Sequence, residues 1–195
     1  MSLLTSCQFE LPGWVDAFVD ATDAPLDSDN AAMRLAIALA TENVSRGTGG
    51  PFGAVVVDED AGTLVAAGVN LVTASHLSMA HAEIIALSLA QQRVGDWNLS
   101  RSGRLTLVTT CEPCAMCFGA VPWSGVRRLV CGSRKADAEA AGFDEGDKPG
   151  DWVASLERRG IEVAQDVLRD EANALFDKYA RHGGEIYNAV PEDDG

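Results

Sequence analysis

Apolar residues recur along the chain with periods that alternate between those of helices and those of strands. After Asp29 the run DNAAMRLAIALATENVSRG has helical spacing, with Ser28 or Asp29 as the N-cap and Gly47 as the stop. The following segment, GGPFGAVVVDEDAGTLVAAGVN, holds two short apolar runs around a turn at residues 59–62, which is typical of a β-hairpin. Helical spacing returns at 80-AHAEIIALSLAQQR-93.

Strands and helices then alternate toward the C-terminus. Three strands are predicted, RLTLVTT (104–110), RRLVCGS (127–133) and GIEVAQ (160–165). Helical segments are predicted at Cys114 to Trp123, where Pro113 occupies the favoured first turn, and at KADAEAA, DWVASLERRG and DVLRDEANALFDKYARHGG. The order α-ββ-α-β-α-β-α-β-α predicts an α/β fold, a three-layer α-β-α sandwich around a mixed five-stranded sheet.

The first 28 residues differ from the rest of the chain. They are irregular, contain two prolines and an acidic patch, and are expected to form at most one short helix. We therefore predict an N-terminal extension over residues 1–28 and one domain over residues 29–195, which includes the C-terminal helix and tail.

The composition and net charge of the chain indicate which kinds of ligand it can bind. The 195 residues are 47% hydrophobic and 23% charged, with a net charge of −14, which argues against a nucleic-acid surface and against attachment to anionic membranes. A small neutral ligand is compatible with this charge, and cation binding is helped by it. The opening residues lack a basic segment followed by an apolar run, and no apolar run approaches the ~18 residues of a membrane span. A cytoplasmic location is therefore predicted.

Three of the five cysteines lie in 109-TTCEPCAMCFGAVP-122, where two C-x-x-C pairs overlap. In a reducing compartment such a cluster indicates metal binding or redox chemistry. The bacterial ferredoxin run would need its fourth cysteine at position 121, which is Val121. A redox dithiol needs only one C-x-x-C at a helix start. A structural zinc site needs four protein ligands, which three cysteines and a histidine could supply.

A catalytic zinc site explains more of the pattern. Cys114 and Cys117 are three apart on a predicted helix and share a face, whereas Cys111 lies in the preceding connection. With His81 they would provide three zinc ligands and leave the fourth position to water. Glu83 supplies a nearby carboxylate for proton transfer, provided that His81 sits in the unwound first turn of its helix.

The spacing of these residues is the H-x-E…P-C-x-x-C signature of zinc deaminases. The sequence resembles the cytidine-deaminase-like superfamily and, within it, the bacterial guanine deaminases. The resemblance covers roughly residues 29–187, and GGPFGAVVV, AGVN, AHAEIIAL, CEPCAMCFGAVPWSGVRRLVCGS and AGFDEG are the segments that carry it.

The resemblance implies an activity and a cofactor. It implies a cytidine deaminase-like fold and hydrolytic deamination of a free nucleobase, first of all guanine, to xanthine and ammonia. One Zn²⁺ per subunit would be held by His81, Cys114 and Cys117, with Glu83 as the group that moves protons. It also implies a homodimer whose C-terminal segments are exchanged between subunits.

The resemblance further implies the contacts to the substrate. Asn70 would bind the edge of the base, and Glu145 would contact the 2-amino group or N3 and pass protons to the leaving amine. Tyr187 would cap the pocket of its own or the partner subunit. The backbone amide of Ala82 and the ring of Phe52 would also contact the base.

Other readings remain open at this point. The substrate could be cytosine, adenine or an amino-triazine, or a tRNA adenosine, although the net charge of −14 disfavours RNA. A structural zinc module without activity would use Cys111 as the fourth ligand. Trp123 is interpreted as a residue of the pocket wall or of the core.

Overall fold

The computed structural model describes residues 3–22 and 25–188 and contains the predicted sheet. Its strands are β1 (Gly53–Asp58), β2 (Thr63–Val69), β3 (Leu105–Cys111), β4 (Arg128–Ser133) and β5 (Glu162–Ala164). Its helices are α1 (Trp14–Asp20), α2 (Asp29–Ser45), α3 (Val72–Ser75), α4 (Ala82–Val94), α5 (Ala115–Ser124), α6 (Lys135–Ala140), α7 (Trp152–Glu157) and α8 (Arg169–Arg181), with a 3₁₀ turn at Leu99–Arg101. The short α3 and the 3₁₀ turn are the elements that apolar spacing did not predict, because neither is long enough to show a period.

The sheet is mixed, as predicted. Its strand order is β2-β1-β3-β4-β5. Strand β1 is antiparallel to β2 and to β3, while β3, β4 and β5 are parallel to one another. The tight turn between β1 and β2 permits an antiparallel pair, whereas the crossovers to β4 and β5 pass through helices, which parallel pairing requires.

Both faces of the sheet are buried, so the central strands read as continuous apolar runs. Residues on one face register side by side and belong to one core cluster, with α4, α5 and α7 packed on it: Val56, Leu107 and Leu129. Their neighbours in sequence register side by side on the other face, which α2 covers: Val55, Val108 and Val130. The three-layer sandwich predicted from the element order is confirmed.

The N-terminal segment contains the single short helix that was expected within its described residues. Val15 of α1 is buried in the cluster beneath α2, and Phe18 and Val19 pack against the same cluster. Residues 3–22 therefore contribute to the core. The division of the chain at residue 28 stays a prediction. Among the helices of residues 3–22 and 25–188, none combines the length and the hydrophobicity that a bilayer span requires.

Strand β2 and helix α4 approach each other at the level of the backbone. A Cβ at Gly68 would lie 2.7 Å from the backbone nitrogen of Ala86 and would overlap the carbonyl oxygen of Ala82. Glycine at this position therefore allows the first turn of α4 to rest on the sheet. This contact sets the position of the residue that precedes the helix, His81.

We expect Gly68→Ala to lower the free energy of unfolding by more than about 2 kcal/mol, because backbone atoms must move to admit the methyl group. Urea unfolding followed by circular dichroism measures the change. The matched control is Gly13→Ala, since nothing lies within 4 Å of a Cβ there and its φ is −59°. Equal shifts in the two variants would contradict the close approach as the cause.

Candidate active site

The candidate site lies at the end of the sheet where β2, β3 and β4 finish and β1 begins. The carboxyl ends of parallel strands are where α/β sheets commonly place ligands. Two helices, α4 and α5, start at this end. Each start carries part of the predicted metal site.

His81 is the N-cap of α4, with extended backbone angles of φ −72° and ψ 151°. It is therefore outside the regular helix, as the sequence predicts if His81 and Glu83 are to serve one site. Glu83 lies in the first turn of α4 and is buried, with 5% of its surface exposed. In a regular helix, side chains two residues apart point in roughly opposite directions. Because His81 lies outside the helix, its side chain and that of Glu83 can face the same site.

Cys114 is the N-cap of α5 and not its first helical residue. Its Sγ accepts a hydrogen bond from the backbone N–H of Cys117 at 3.5 Å, in the manner of a capping side chain. The helix consequently begins at Ala115, and Pro113 precedes the cap. A negative sulfur at this position is favoured by the helix dipole and by the free amides of the first turn.

The three predicted ligand atoms meet. The Nδ1 of His81 lies 3.5 Å from the Sγ of Cys114 and 3.6 Å from the Sγ of Cys117, and all three atoms are within 4.8 Å of one another. Two ligands at the usual Zn–N and Zn–S bond lengths of a tetrahedron lie about 3.6 Å apart. The donor set and its spacing therefore fit Zn²⁺.

Cys111 does not join this group. Its buried Sγ donates to the backbone oxygen of Arg134 at 3.7 Å. Within residues 3–22 and 25–188, the cluster of potential metal ligands consists of His81, Cys114 and Cys117. A structural site closed by Cys111 and an iron–sulfur site with four cysteines both lack a ligand in this arrangement.

The two cysteines of the cluster differ in acidity. The hydrogen bond from Cys117, together with the bond to and charge of His81, lowers the pKa of Cys114 to about 4, although burial opposes the shift. The bond to Cys114, followed by burial, raises the pKa of Cys117 well above its ordinary value. Burial lowers the pKa of His81, but Cys114 and the nearby Glu83 outweigh it, and the net shift is upward. A bound cation favours the thiolate at both cysteines.

Two carboxyl groups beside the cluster are disposed to hold protons. Burial, and then the negative charge of Cys114, raises the pKa of Glu83. Burial, and then the charges of Cys114 and Glu83, raises the pKa of Glu145 to about 8. Buried carboxyl groups with raised pKa values next to a metal site are typical acid–base catalysts.

Next to the cluster, two buried polar atoms have no hydrogen-bond partner among the residues that the structure describes. They are the Nδ2 of Asn70 and the hydroxyl oxygen of Tyr187. A Cβ at Gly50 would lie 2.9 Å from both the Oδ1 of Asn70 and the hydroxyl of Tyr187. The two side chains thus converge on space that glycine leaves open. Unpaired buried donors of this kind indicate a ligand that pairs with them.

An aromatic group supports this pocket. Phe143 packs on Tyr187 with the ring centroids 5.4 Å apart and meets Phe52 edge to face at 5.0 Å. Phe52 also meets Phe176 at 5.8 Å, so much of its ring is packed against other aromatic side chains. Ala82, the other predicted contact, is the first residue of α4 and is fully buried. Its amide belongs to the first turn, whose N–H groups have no partner within the helix.

Sequence reasoning missed Asn43, which is fully buried on α2. Its Nδ2 donates to the backbone oxygens of Gly50 at 3.0 Å and of Asn70 at 2.9 Å, and its Oδ1 accepts from the hydroxyl of Thr48 at 2.7 Å. Asn43 therefore fastens together the two segments that form the pocket. An asparagine on the apolar face of a helix is the sequence signal that could have revealed it.

The interpretation of Trp123 as a pocket-wall or core residue is wrong, since 82% of its surface is exposed. On α5, Cys117 and Val121 face inward, while Met116 and Trp123, seven positions apart, share the outer face. The helix is apolar nearly all round, so its sequence did not distinguish the buried face from the exposed one.

Comparison with known proteins shows that this chain is similar to zinc deaminases in sequence and in fold. Residues 26–133 match the cytidine and deoxycytidylate deaminase zinc-binding region. The guanine deaminase of Bacillus subtilis strain 168 is 41% identical over 113 residues, 58% of this chain and 69% of that protein. The solved guanine deaminase of Nitrosomonas europaea is 44% identical, with a TM-score of 0.84 over 93% of this chain and 100% of that one. A mutant protein solved with 8-azaguanine is 45% identical, with a TM-score of 0.83 over 91% and 98% of the two chains.

We expect the purified chain to hold a single zinc ion, and Cys114→Ala to lose most of it, because two protein ligands hold zinc far more weakly than three. Elemental analysis per mole of chain measures the content. Cys111→Ala is the matched control, a second buried cysteine of the same segment, and should keep its zinc. Loss of zinc from the Cys111→Ala variant would indicate the closed structural site instead.

Proposed function

The chain belongs to the cytidine and deoxycytidylate deaminase zinc-binding family, and from that membership we propose that it converts guanine and water to xanthine and ammonia. It is a zinc-dependent aminohydrolase. The observation that carries the choice of a free base is the pocket itself. The unpartnered groups of Asn70 and Tyr187 adjoin the zinc ligands and two buried carboxyl groups. The choice of guanine is supported by the similarity to guanine deaminases over 93% of the chain.

The predicted metal has a defined chemical part. Zn²⁺ held by His81, Cys114 and Cys117 would supply a water molecule whose pKa is lowered toward neutrality. Glu83 lies beside these ligands and has a raised pKa because of its burial. The Glu83 carboxylate accepts a proton from water and donates it to a ring nitrogen of the base. The amine-bearing carbon, C2 of guanine, thereby becomes open to addition of the water oxygen.

Glu145 serves the departure of ammonia in this proposal. Burial is the largest cause of the raised pKa of its carboxyl group, and burial still acts when a cation binds the nearby sulfurs, so the protonated form is favoured. It can therefore donate a hydrogen bond to N3 or a proton to the leaving 2-amino group. As the C2–N bond breaks and ammonia leaves, the hydroxyl group added at C2 becomes a carbonyl, and its proton replaces the one that Glu145 donated. The two acids divide the work, since Glu83 handles the water and the ring nitrogen and Glu145 handles the leaving group.

The remaining predicted contacts orient the base. The side-chain amide of Asn70 is placed to pair with the edge of the base, and the amide of Ala82 offers a further donor at the start of α4. Phe52 flanks the pocket from within its aromatic cluster. Tyr187 closes the pocket of its own chain, where its hydroxyl adjoins Gly50 and its ring packs on Phe143.

The tail that carries Tyr187 is held by specific hydrogen bonds. Asn188 donates to the backbone oxygen of Gly142 at 2.9 Å and accepts from the amide of Asp144 at 2.9 Å. Tyr179 donates to the backbone oxygen of Glu185 at 2.8 Å. These contacts support a tail that closes its own site, while exchange of the tail between subunits is the alternative that mixing tests below.

We also propose a homodimer and a cytoplasmic location. The exposed apolar side chains of Met116 and Trp123 on one face of α5 support a dimer, because such pairs are commonly covered by a partner. Light scattering that returns the mass of one chain, 20.6 kDa, would remove the dimer. Clustered thiols that serve as metal ligands need a reducing compartment, which supports the location. The net charge of −14 favours a small substrate over RNA.

We expect guanine to release ammonia in a panel with adenine, cytosine, their nucleosides and amino-triazines. Glu83→Gln should keep its zinc and lower kcat by about 10²- to 10⁴-fold, because a general acid–base contributes that much. Glu157→Gln, an exposed residue of α7, is the control and should match wild type. If guanine releases no ammonia, guanine is not the substrate. If the Glu83→Gln variant turns over guanine at the wild-type rate, the proposed mechanism is wrong.

Tyr187→Phe should raise KM for guanine by about threefold to tenfold, the contribution of one hydrogen bond, without changing zinc content. Steady-state kinetics measures it. A chain that ends at residue 184 should lose more, because the pocket then stays open.

Mixing assigns the tail to a subunit. The truncated chain and the full-length Glu83→Gln chain are combined under conditions that allow subunits to exchange. If each tail closes its own site, the mixture stays as impaired as the truncated chain alone. Recovery of activity would mean that one chain's tail completes the other chain's intact site, and that the tail is exchanged.

A further inference from the structure

A buried ion pair joins the segment 143–150 to residues 112–114, the zinc-binding loop between β3 and α5. This pair has no part in the chemistry described so far. The side chains of Lys148 and Glu112 are 3% and 6% exposed, and the Nζ of Lys148 lies 3.3 Å from the Oε2 of Glu112. Glu112 also accepts from the side chain of Gln165 at 2.6 Å and from the amide of Lys135 at 3.2 Å. The carboxylate is therefore fully engaged, and removal of the lysine would leave it buried with its charge unpaired.

Lys148 contacts two other parts of the chain. Its Nζ donates to the backbone oxygen of Pro113 at 2.9 Å, directly before the metal ligand Cys114. The same nitrogen lies 4.4 Å from the ring centroid of Trp152 on α7. Lys148 itself belongs to the segment 143–150 that carries Glu145. One side chain thus ties this segment both to the zinc-binding loop and to α7.

Two backbone oxygens of the same segment accept further hydrogen bonds. The amide of Ala115 donates to the backbone oxygen of Glu145 at 2.9 Å, and the Nζ of Lys135 donates to the backbone oxygen of Gly146 at 2.6 Å. A Cβ at Gly146 would lie 3.1 Å from the Cβ of Ala115, so the two segments are already close. The backbone of Glu145 is therefore hydrogen-bonded to Ala115, the residue that follows Cys114. Lys148, three residues after Glu145, makes the second connection between these segments.

We propose that Lys148 is a positioning residue, which holds the segment 143–150 against the zinc-binding loop so that the Glu145 carboxyl faces the substrate. The inference rests on the proposed deaminase function. Replacing a buried ion pair by neutral groups is often nearly neutral for stability. We therefore assign to this pair the alignment of two segments, and not stability alone. A displacement of about 1 Å at a catalytic group can lower turnover by as much as 10²-fold.

Kinetics of the zinc-loaded enzyme provides the first test. Lys148→Met should lower kcat for guanine by at least ~10-fold and change KM by less than ~3-fold. The substitution displaces the carboxyl group of Glu145, which acts on the leaving amine and contributes little to binding. In a Glu145→Gln background the same substitution should lower kcat by less than ~2-fold further, because the two residues act through one carboxyl. The control is Arg158→Met, which removes an exposed ion pair with Asp151 on the adjoining helix.

The double variant Lys148→Met with Glu112→Gln separates position from stability. It leaves no unpaired buried charge, so its unfolding midpoint should lie closer to that of wild type than the midpoint of Lys148→Met does. Its kcat should nevertheless stay low, because the tie to Pro113 is still absent. Recovery of kcat together with stability would overturn the proposal.

Hydrogen exchange tests the tie without relying on activity. In zinc-loaded Lys148→Met, peptides that cover 112–118 and 143–150 should exchange at least ~10-fold faster than in wild type, while the Arg158→Met variant should not differ. Unchanged exchange, a kcat within ~2-fold of wild type, or loss of zinc from Lys148→Met would each overturn the proposal. A wild-type chain that deaminates no base would instead remove the proposed function, and the exchange result would still decide the tie.

Discussion

The site depends on the meeting of two helix starts. Nδ1 of His81 precedes α4, the Sγ of Cys114 caps α5, and the Sγ of Cys117 follows one turn later, with N–S distances of 3.5 and 3.6 Å. Tetrahedral zinc tolerates little deviation from this spacing. The backbone approach at Gly68 fixes the start of α4, and the exit of β3 fixes the start of α5. Much of the sheet can therefore be understood as the frame that brings these two starts together.

Burial of the ionisable groups around the zinc ligands determines their acid–base properties. A thiolate, two carboxyl groups and an imidazole withdrawn from water interact strongly. Burial, and then the neighbouring negative charges, raise the pKa values of Glu83 and Glu145. A cation among the sulfurs offsets part of this repulsion. The carboxyl groups remain able to bind and release protons, which an exposed glutamate does poorly near neutral pH because it stays ionised.

A second layer of polar contacts holds the pocket without reaching its centre. Asn43 joins the segments of Gly50 and Asn70 from one side, and the pair of Lys148 and Glu112 joins the Glu145 segment to the zinc-binding loop from the other. Each is buried and hydrogen-bonded to backbone oxygens of segments far away in sequence. Such contacts restrict the relative movement of loops, which hydrophobic packing alone does poorly because it is non-directional.

The order of the strands and of the longer helices, and the mixed sheet, could be predicted from the sequence alone, as could the candidate zinc ligands and the carboxylate of Glu83 beside them. These follow from local periodicity and from short motifs, which act over a few residues. The three-dimensional contacts were needed to show that Cys114 caps α5, that Trp123 points outward, and that Asn43, Glu112 and Lys148 are buried and hydrogen-bonded beside the site. A buried polar residue is recognised by its partners, and those of Asn43 and Lys148 lie up to 27 and 36 residues away along the chain. No local pattern specifies such pairs, because folding alone brings them within hydrogen-bond distance.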